Sequence, residues 1–200
     1  MTLVSRAAVF AVNAHDGMMR KGTNIPYIVH PMEVAAIVAS LTDDPEVIAA
    51  SLLHDVMEDC GVTWEELAAQ FGQRVADLVA HESQLQSGNP CETWEARKQQ
   101  TVNRIARGEH DTQLIALGDK LSNIRAIARD YARDGDALFF RFHQHDKRRH
   151  AWYYRSCAAF LQERFGHTEV WHELCEWIEY VFAGIPREDD GEKDQEACAG

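Results

Sequence analysis

Two hundred residues with 46% apolar and 26% charged side chains suffice for one buried core without disulfide or metal staples. No apolar run approaches the roughly 20 residues that a bilayer-spanning helix needs, so no membrane partner is expected. A net charge of −12 disfavours contact with the polyphosphate backbone of duplex nucleic acid, so no nucleic-acid partner is expected either.

Glycine and proline are sparse, at 12 and 5, and strand-like alternation is absent, so the predicted class is all-α in a single domain over residues 1–185. The first predicted helix runs from Val4 to about Met18, with Val4, Ala7, Ala8, Ala11 and Val12 on one stripe. The loop RKGTNIPYIVHP follows, and Pro31 suits the first turn of the next helix, which carries Val34, Ile37, Val38 and Leu41. Asp43-Asp44-Pro45 caps a helix predicted to continue to about Asp59. Thr63 and Glu66 form a capping box for a helix ending near Phe71-Gly72, and another spans Val75 to about Leu85. Residues 86–91 read as loop. Helices are then expected from Thr93 to Arg107, from Asp111 through Ile127, over about 146–165 and over about 168–183. From Pro186 to residue 200 the chain is an acidic tail, expected to be disordered.

The N-terminus lacks a charged region followed by a clean apolar stretch, so no signal peptide is read and a cytoplasmic location is expected. Five cysteines are an odd number without CxxC spacing, which argues for scattered reduced thiols and against a thiolate zinc site. Much of the acidity lies in the tail, while Arg20-Lys21 and Lys147-Arg148-Arg149 are basic clusters. That distribution suits a small anionic ligand steered to one pocket.

The segment SLLHDVMEDC carries the chemistry. His54, Asp55, Glu58 and Asp59 are set into an otherwise apolar helix, where ionisable groups are costly unless paired or metal-bound. Helical spacing groups them over two adjoining turns. His30, at a loop-to-helix junction, and Asp119, in the apolar run IALGDKLSNIR, are the candidates to complete a two-imidazole, two-carboxylate site. Such a donor set suits Mn²⁺, Fe²⁺ or Zn²⁺. Taken singly, His30 also reads as a hydrogen-bonded helix-start histidine, and Asp119 as an ion-pair partner of Lys120 or Arg125. Other HD dipeptides at 15–16, 110–111 and 145–146 lack the apolar helix and the following ED pair.

The H…HD…D pattern resembles the HD-domain superfamily of metal-dependent phosphohydrolases. RKGTNIPYIVHPMEVA, LLHDVMEDCGVTWEEL, FGQRVADLV and LGDKLSNIR, in that order over about residues 5–160, resemble the hydrolase domain of the RelA/SpoT alarmone enzymes. They resemble still more the stand-alone small alarmone hydrolases, the metazoan SpoT homologue among them. The resemblance implies an HD-domain helical bundle and a (p)ppGpp 3′-pyrophosphohydrolase that uses Mn²⁺. It implies His30, His54, Asp55 and Asp119 as metal ligands and Glu58 and Asp59 as the catalytic pair acting on the attacking water. It implies Arg20, Lys21, Asn123, Arg149 and Tyr153 as substrate contacts, the last two forming a basic-plus-Tyr pair near the diphosphate.

Two departures stand out. After FGQRVADLV the chain reads AHESQLQSGNPCETWEARK in place of a GVT-type turn, and the usual LADKL is LGDKL. Gly118 costs about 1 kcal/mol relative to alanine inside a helix, a cost that a close approach of backbone or substrate would explain. The guanine-or-adenine choice, the native metal and the oligomeric state stay open, a homo-oligomer included. Other readings are an HD phosphohydrolase acting on (p)ppApp, a nucleoside phosphate or NADPH, a catalytically silent nucleotide-sensing module, or a helical scaffold around a structural metal. No synthetase domain is expected, because the chain ends about fifteen residues beyond the last predicted helix.

Overall fold

The computed structural model describes residues 1–83 and 93–186. Among these the secondary structure is helical, with one isolated bridge between Met19 and Pro26 and no strand. The helices are α1 (Leu3–Ala14), α2 (Val29–Ala39), α3 (Pro45–Leu53), α4 (Val56–Cys60), α5 (Trp64–Phe71) and α6 (Gln73–Glu82). They continue with α7 (Trp94–Arg107), α8 (His110–Asp134), α9 (Lys147–Phe165) and α10 (Glu169–Phe182). A 3-10 helix over Gly135–Arg141, which the periodicity does not reveal, joins α8 to the loop before α9. The predicted loop over 86–91 and the predicted tail beyond Pro186 lie outside the described residues.

Local chemistry starts most of these helices. The side chains of Thr2, Asp44, Thr63, Thr93, Asp146 and Thr168 each accept a hydrogen bond from the first turn, satisfying a donor that has no partner within the helix. The Thr63–Glu66 capping box forms as its sequence predicts. α8 is the axis of the bundle: α2, α10, α9 and α6 pack around it, and α1 closes over α3. Leu114, Ile115, Leu117, Leu121 and Ile124 of α8 are completely buried with Leu53 and Leu67.

Besides α2, which stops at Ala39 short of Leu41, and α6, which stops at Glu82 short of Leu85, two helices end earlier than the periodicity predicts for identifiable reasons. α1 stops at Ala14 rather than Met18, where both the backbone N–H and the ring of His15 turn back to the Ala11 carbonyl. The predicted helix from Pro45 to Asp59 is interrupted at His54-Asp55. His54 Nδ1 lies 2.8 Å from the Ser51 carbonyl oxygen, the acceptor that an uninterrupted helix would offer to the Asp55 N–H. Gly61 then ends α4 in the left-handed region (φ 69°), open to glycine without steric cost.

Gly118 has a clear role. A Cβ built on it would lie 2.9 Å from Val38 Cγ2 and 3.3 Å from both Val34 Cγ1 and the Val34 carbonyl oxygen. The missing side chain therefore lets α2 and α8 approach; it serves backbone packing rather than substrate access. No helix among the described residues is long and apolar enough to cross a membrane. Cys60, Cys157 and Cys175 are free thiols.

Candidate metal centre and adjoining cavity

The tight α2–α3–α8 packing brings three separate stretches to one point. His30 comes from the first turn of α2, His54 and Asp55 from the break between α3 and α4, and Asp119 from the middle of α8. His30 Nε2 lies 3.2 Å from Asp119 Oδ1 and 3.6 Å from Asp55 Oδ2. His54 Nε2 lies 3.0 Å from Asp55 Oδ2 and 3.8 Å from Asp119 Oδ1. Donor atoms of His30, His54 and Asp55 all lie within 4.8 Å of one another, close enough to hold one ion.

The remaining nitrogens fix the orientation of the rings. His30 Nδ1 is 2.8 Å from Ser122 Oγ, which in turn donates to Glu33 Oε2. His54 Nδ1 donates to the Ser51 carbonyl. In the neutral rings both Nε2 lone pairs then face carboxylate oxygens, an arrangement that calls for a proton or a cation between them. His54 Nε2 is buried and makes no hydrogen bond. That orphaned nitrogen, with its hard N/O neighbours, fits a divalent ion with the outer-shell support usual for metal-binding histidines.

Electrostatics agree. Burial opposes a charge on His54, but Asp55 and Asp119 outweigh it and raise its pKa to about 9. Burial lowers that of His30. Burial also works against ionising Asp55 and Asp119, yet His54 holds Asp55 low, and Lys120 with the two imidazoles holds Asp119 well below the usual carboxylate range. Asp119 does pair with Lys120, one of the two ordinary partners its sequence context offers; Arg125 instead engages Glu173 and Glu33. The pairing leaves Asp119 Oδ1 towards the imidazoles.

Beside the centre lies a cavity of about 330 Å³. Lys21, Glu58, Asn123 and Tyr153 line it together with the four candidate ligands. Arg20 reaches it indirectly: its Nη2 donates to Asn123 Oδ1 at 2.8 Å, and Asn123 Nδ2 donates to Asp119 Oδ1 at 2.5 Å. Asp59 is off the cavity wall and stands beside Tyr27, with its pKa raised by burial and by the charge of Asp55. Arg149 does not join Tyr153 on the wall; it is mostly exposed and pairs with Glu95 at 3.2 Å.

Lys98 and Lys120 line the cavity without having been singled out by motif. Lys98 Nζ lies 4.8 Å from the centre of the Tyr153 ring, and burial and Lys120 lower its pKa to about 8. A signal for it exists in the sequence: Lys98 falls on the same stripe of α7 as the buried Thr101, Val102 and Ile105, where a lysine is out of place. A larger hollow of about 840 Å³ between α9 and α10, walled by Trp152, Trp171 and Ile178, shares no residue with the metal centre.

An all-helical bundle holding two histidines and two aspartates around one point defines a class of candidate metalloproteins. The model of the HD domain family matches residues 7–145, and the chain belongs to that family. A guanosine-3′,5′-bis(diphosphate) 3′-pyrophosphohydrolase of Vibrio cholerae is 40% identical over 121 residues, 60% of this chain and 17% of its own. The bifunctional (p)ppGpp synthase/hydrolase SpoT of Escherichia coli is 36% identical over 124 residues, 61% of this chain and 18% of its own. The chain thus spans less than a fifth of the length of these curated relatives. Its fold is that of a metazoan ortholog of SpoT reported to hydrolyse ppGpp, with a TM-score of 0.74 at 24% identity over 90% of this chain and 95% of the other. A crystal structure from Listeria monocytogenes matches with a TM-score of 0.68 at 26% identity, covering 76% of this chain and 98% of the other.

Proposed function

We propose that this chain is a cytoplasmic (p)ppGpp 3′-pyrophosphohydrolase, with Mn²⁺ held by His30, His54, Asp55 and Asp119. The observation that carries the reading is the convergence of these four side chains on the wall of one cavity, with His54 Nε2 buried and unbonded. The printed activities of the SpoT-type relatives support the choice of substrate.

The divalent ion, when bound, supplies Lewis acidity that lowers the pKa of a water and polarises phosphorus. Glu58, on the cavity wall, accepts the proton of the attacking water, with Asp59 beside it in the same short helix. Water oxygen bonds to phosphorus, the bond to the ribose 3′ oxygen breaks, and that oxygen takes up, through solvent, the proton that Glu58 received. Lys21, Lys98 and Lys120 offset the charge of the diphosphate, and Asn123 ties Arg20 to Asp119 so that the loop before α2 moves with the centre. Tyr153 adds a buried ring to the wall. Arg149 requires release from Glu95 before it can contact the substrate.

The test is incubation of the Mn²⁺-loaded protein with ppGpp and identification of the products, with Asp55→Ala as control. Intact pyrophosphate and GDP are expected from the wild type alone. Orthophosphate as the sole inorganic product, or turnover of (p)ppApp or NADPH with none of ppGpp, refutes the reading. Equal inactivity of wild type and Asp55→Ala towards every nucleotide favours a sensing module.

A further inference from the structure

His15 belongs to none of the motifs that define the metal centre, yet its side chain is withdrawn from solvent, with 2% of the residue exposed. Its Nδ1 lies 2.9 Å from the Ala11 carbonyl oxygen, which assigns the proton to Nδ1 and leaves Nε2 as a lone pair. Nε2 is buried and has no hydrogen-bond partner. A phenyl ring at the same place would avoid that desolvation cost, so core packing alone does not explain a histidine here.

The ring stacks on Tyr27, with centroids 5.0 Å apart and planes inclined by 20°. The main chain ties the two residues as well: the Met18 N–H donates to the His15 carbonyl, and the Tyr27 N–H donates to the Met18 carbonyl. The Tyr27 hydroxyl then donates to Asp55 Oδ2 at 2.7 Å, the same oxygen that faces His30 and His54.

We infer that His15 is a positioning residue for the metal centre, acting through the Tyr27 ring to hold Asp55 in its ligating orientation. The Ala11 carbonyl anchors the imidazole, the imidazole fixes the phenol, and the phenol fixes the carboxylate. The inference rests on the metal-centre reading but not on the identity of the nucleotide.

The test is a double-mutant cycle read by calorimetric titration of Mn²⁺ into the full-length protein, with thermal unfolding of each apo variant alongside. His15→Ala and Tyr27→Phe are each expected to weaken Mn²⁺ binding by about tenfold, the low end for outer-shell partners. The double variant should bind no more weakly than the weaker single one, because both changes cut the same chain. His15→Phe keeps the stack and loses the Ala11 anchor, so Mn²⁺ affinity should fall by about threefold or more, short of the outer-shell loss expected of His15→Ala. Multiplying losses in the double variant, or a lowered unfolding temperature in His15→Ala with unchanged Mn²⁺ affinity, overturns the inference. If His15→Ala does not fold, unchanged Mn²⁺ affinity in His15→Phe overturns it equally. Absence of Mn²⁺ binding by the wild type overturns the metal reading itself, whereas the wrong nucleotide product leaves this inference standing.

Discussion

Gly118→Ala sets two effects of comparable size against each other. Alanine in place of glycine inside a helix gains about 1 kcal/mol from propensity. The new Cβ, however, would stand 2.9 Å from Val38 Cγ2, against the roughly 3.5–4.0 Å that carbon atoms prefer. Val38 is β-branched and held to one χ1 rotamer by its own helix, so it cannot swing aside. The Val34 carbonyl oxygen, 3.3 Å away, is backbone and moves only with α2. Relief therefore requires α2 to retreat from α8 by about half an ångström, and overpacking of this kind costs about 1–3 kcal/mol. The balance is a net destabilisation of about 1 kcal/mol. The retreat also spans the 3.2 Å approach of His30 to Asp119, so Mn²⁺ binding should weaken along with stability. Urea unfolding of the apo protein measures the first effect and calorimetric titration the second. Val38→Ala removes the clashing methyl group, so Gly118→Ala made in that background should cost at least 1 kcal/mol less, roughly. A Gly118→Ala protein more stable than the wild type by the full propensity gain, with no coupling to Val38, would show that α2 yields freely and that the close approach constrains nothing.

If Mn²⁺ binds at His54 it must displace the proton that Asp55 and Asp119 hold there up to a pKa of about 9, so binding should strengthen with pH, by up to about tenfold per unit between about pH 6 and 8, and level off above that pKa. Affinity independent of pH refutes it. The same raised pKa has the opposite effect on the apo protein: its contribution to stability is complete below 6.5 and is lost as pH climbs through about 9, which denaturant midpoints across that window will register. Lys98→Met removes a cation whose pKa burial and Lys120 have lowered to about 8. Its KM for the anionic nucleotide should rise by about tenfold or more while the apo unfolding temperature holds or increases, and an unchanged KM removes Lys98 from the substrate contacts. Thr63→Ala breaks the capping box ahead of α5 and should cost about 1 kcal/mol in urea unfolding without altering Mn²⁺ affinity; a change in that affinity would contradict its purely structural role.

The helical class, the helix starts and the His54-Asp55 pair were legible in the chain because each rests on local chemistry, whereas His30 and Asp119 joined the candidate ligands through the family resemblance. Threonine or aspartate ahead of an apolar period, and ionisable groups set into an apolar helix, need no neighbour to be noticed. The break at His54-Asp55 was not legible, because an apolar period continues through it while a side-chain nitrogen takes the carbonyl that the helix would use. Nor was the parting of Arg149 from Tyr153: spacing of four puts both on one side of α9, but Glu95 on α7 draws the guanidinium outward. Lys98 was visible as a lysine on an apolar stripe, yet only the packing of α7 against α9 gives that stripe a cavity to face. By sequence His15 reads as one of several HD dipeptides without a motif around it, and its stack on Tyr27 exists only once α1 ends where it does. The amino-acid sequence alone thus determined which residues had the chemistry to bind an ion and where helices could begin. Which of them meet, and which way each donor points, was decided by the tertiary structure, because those distances depend on α2, α3 and α8 closing around one another across nearly a hundred residues of chain.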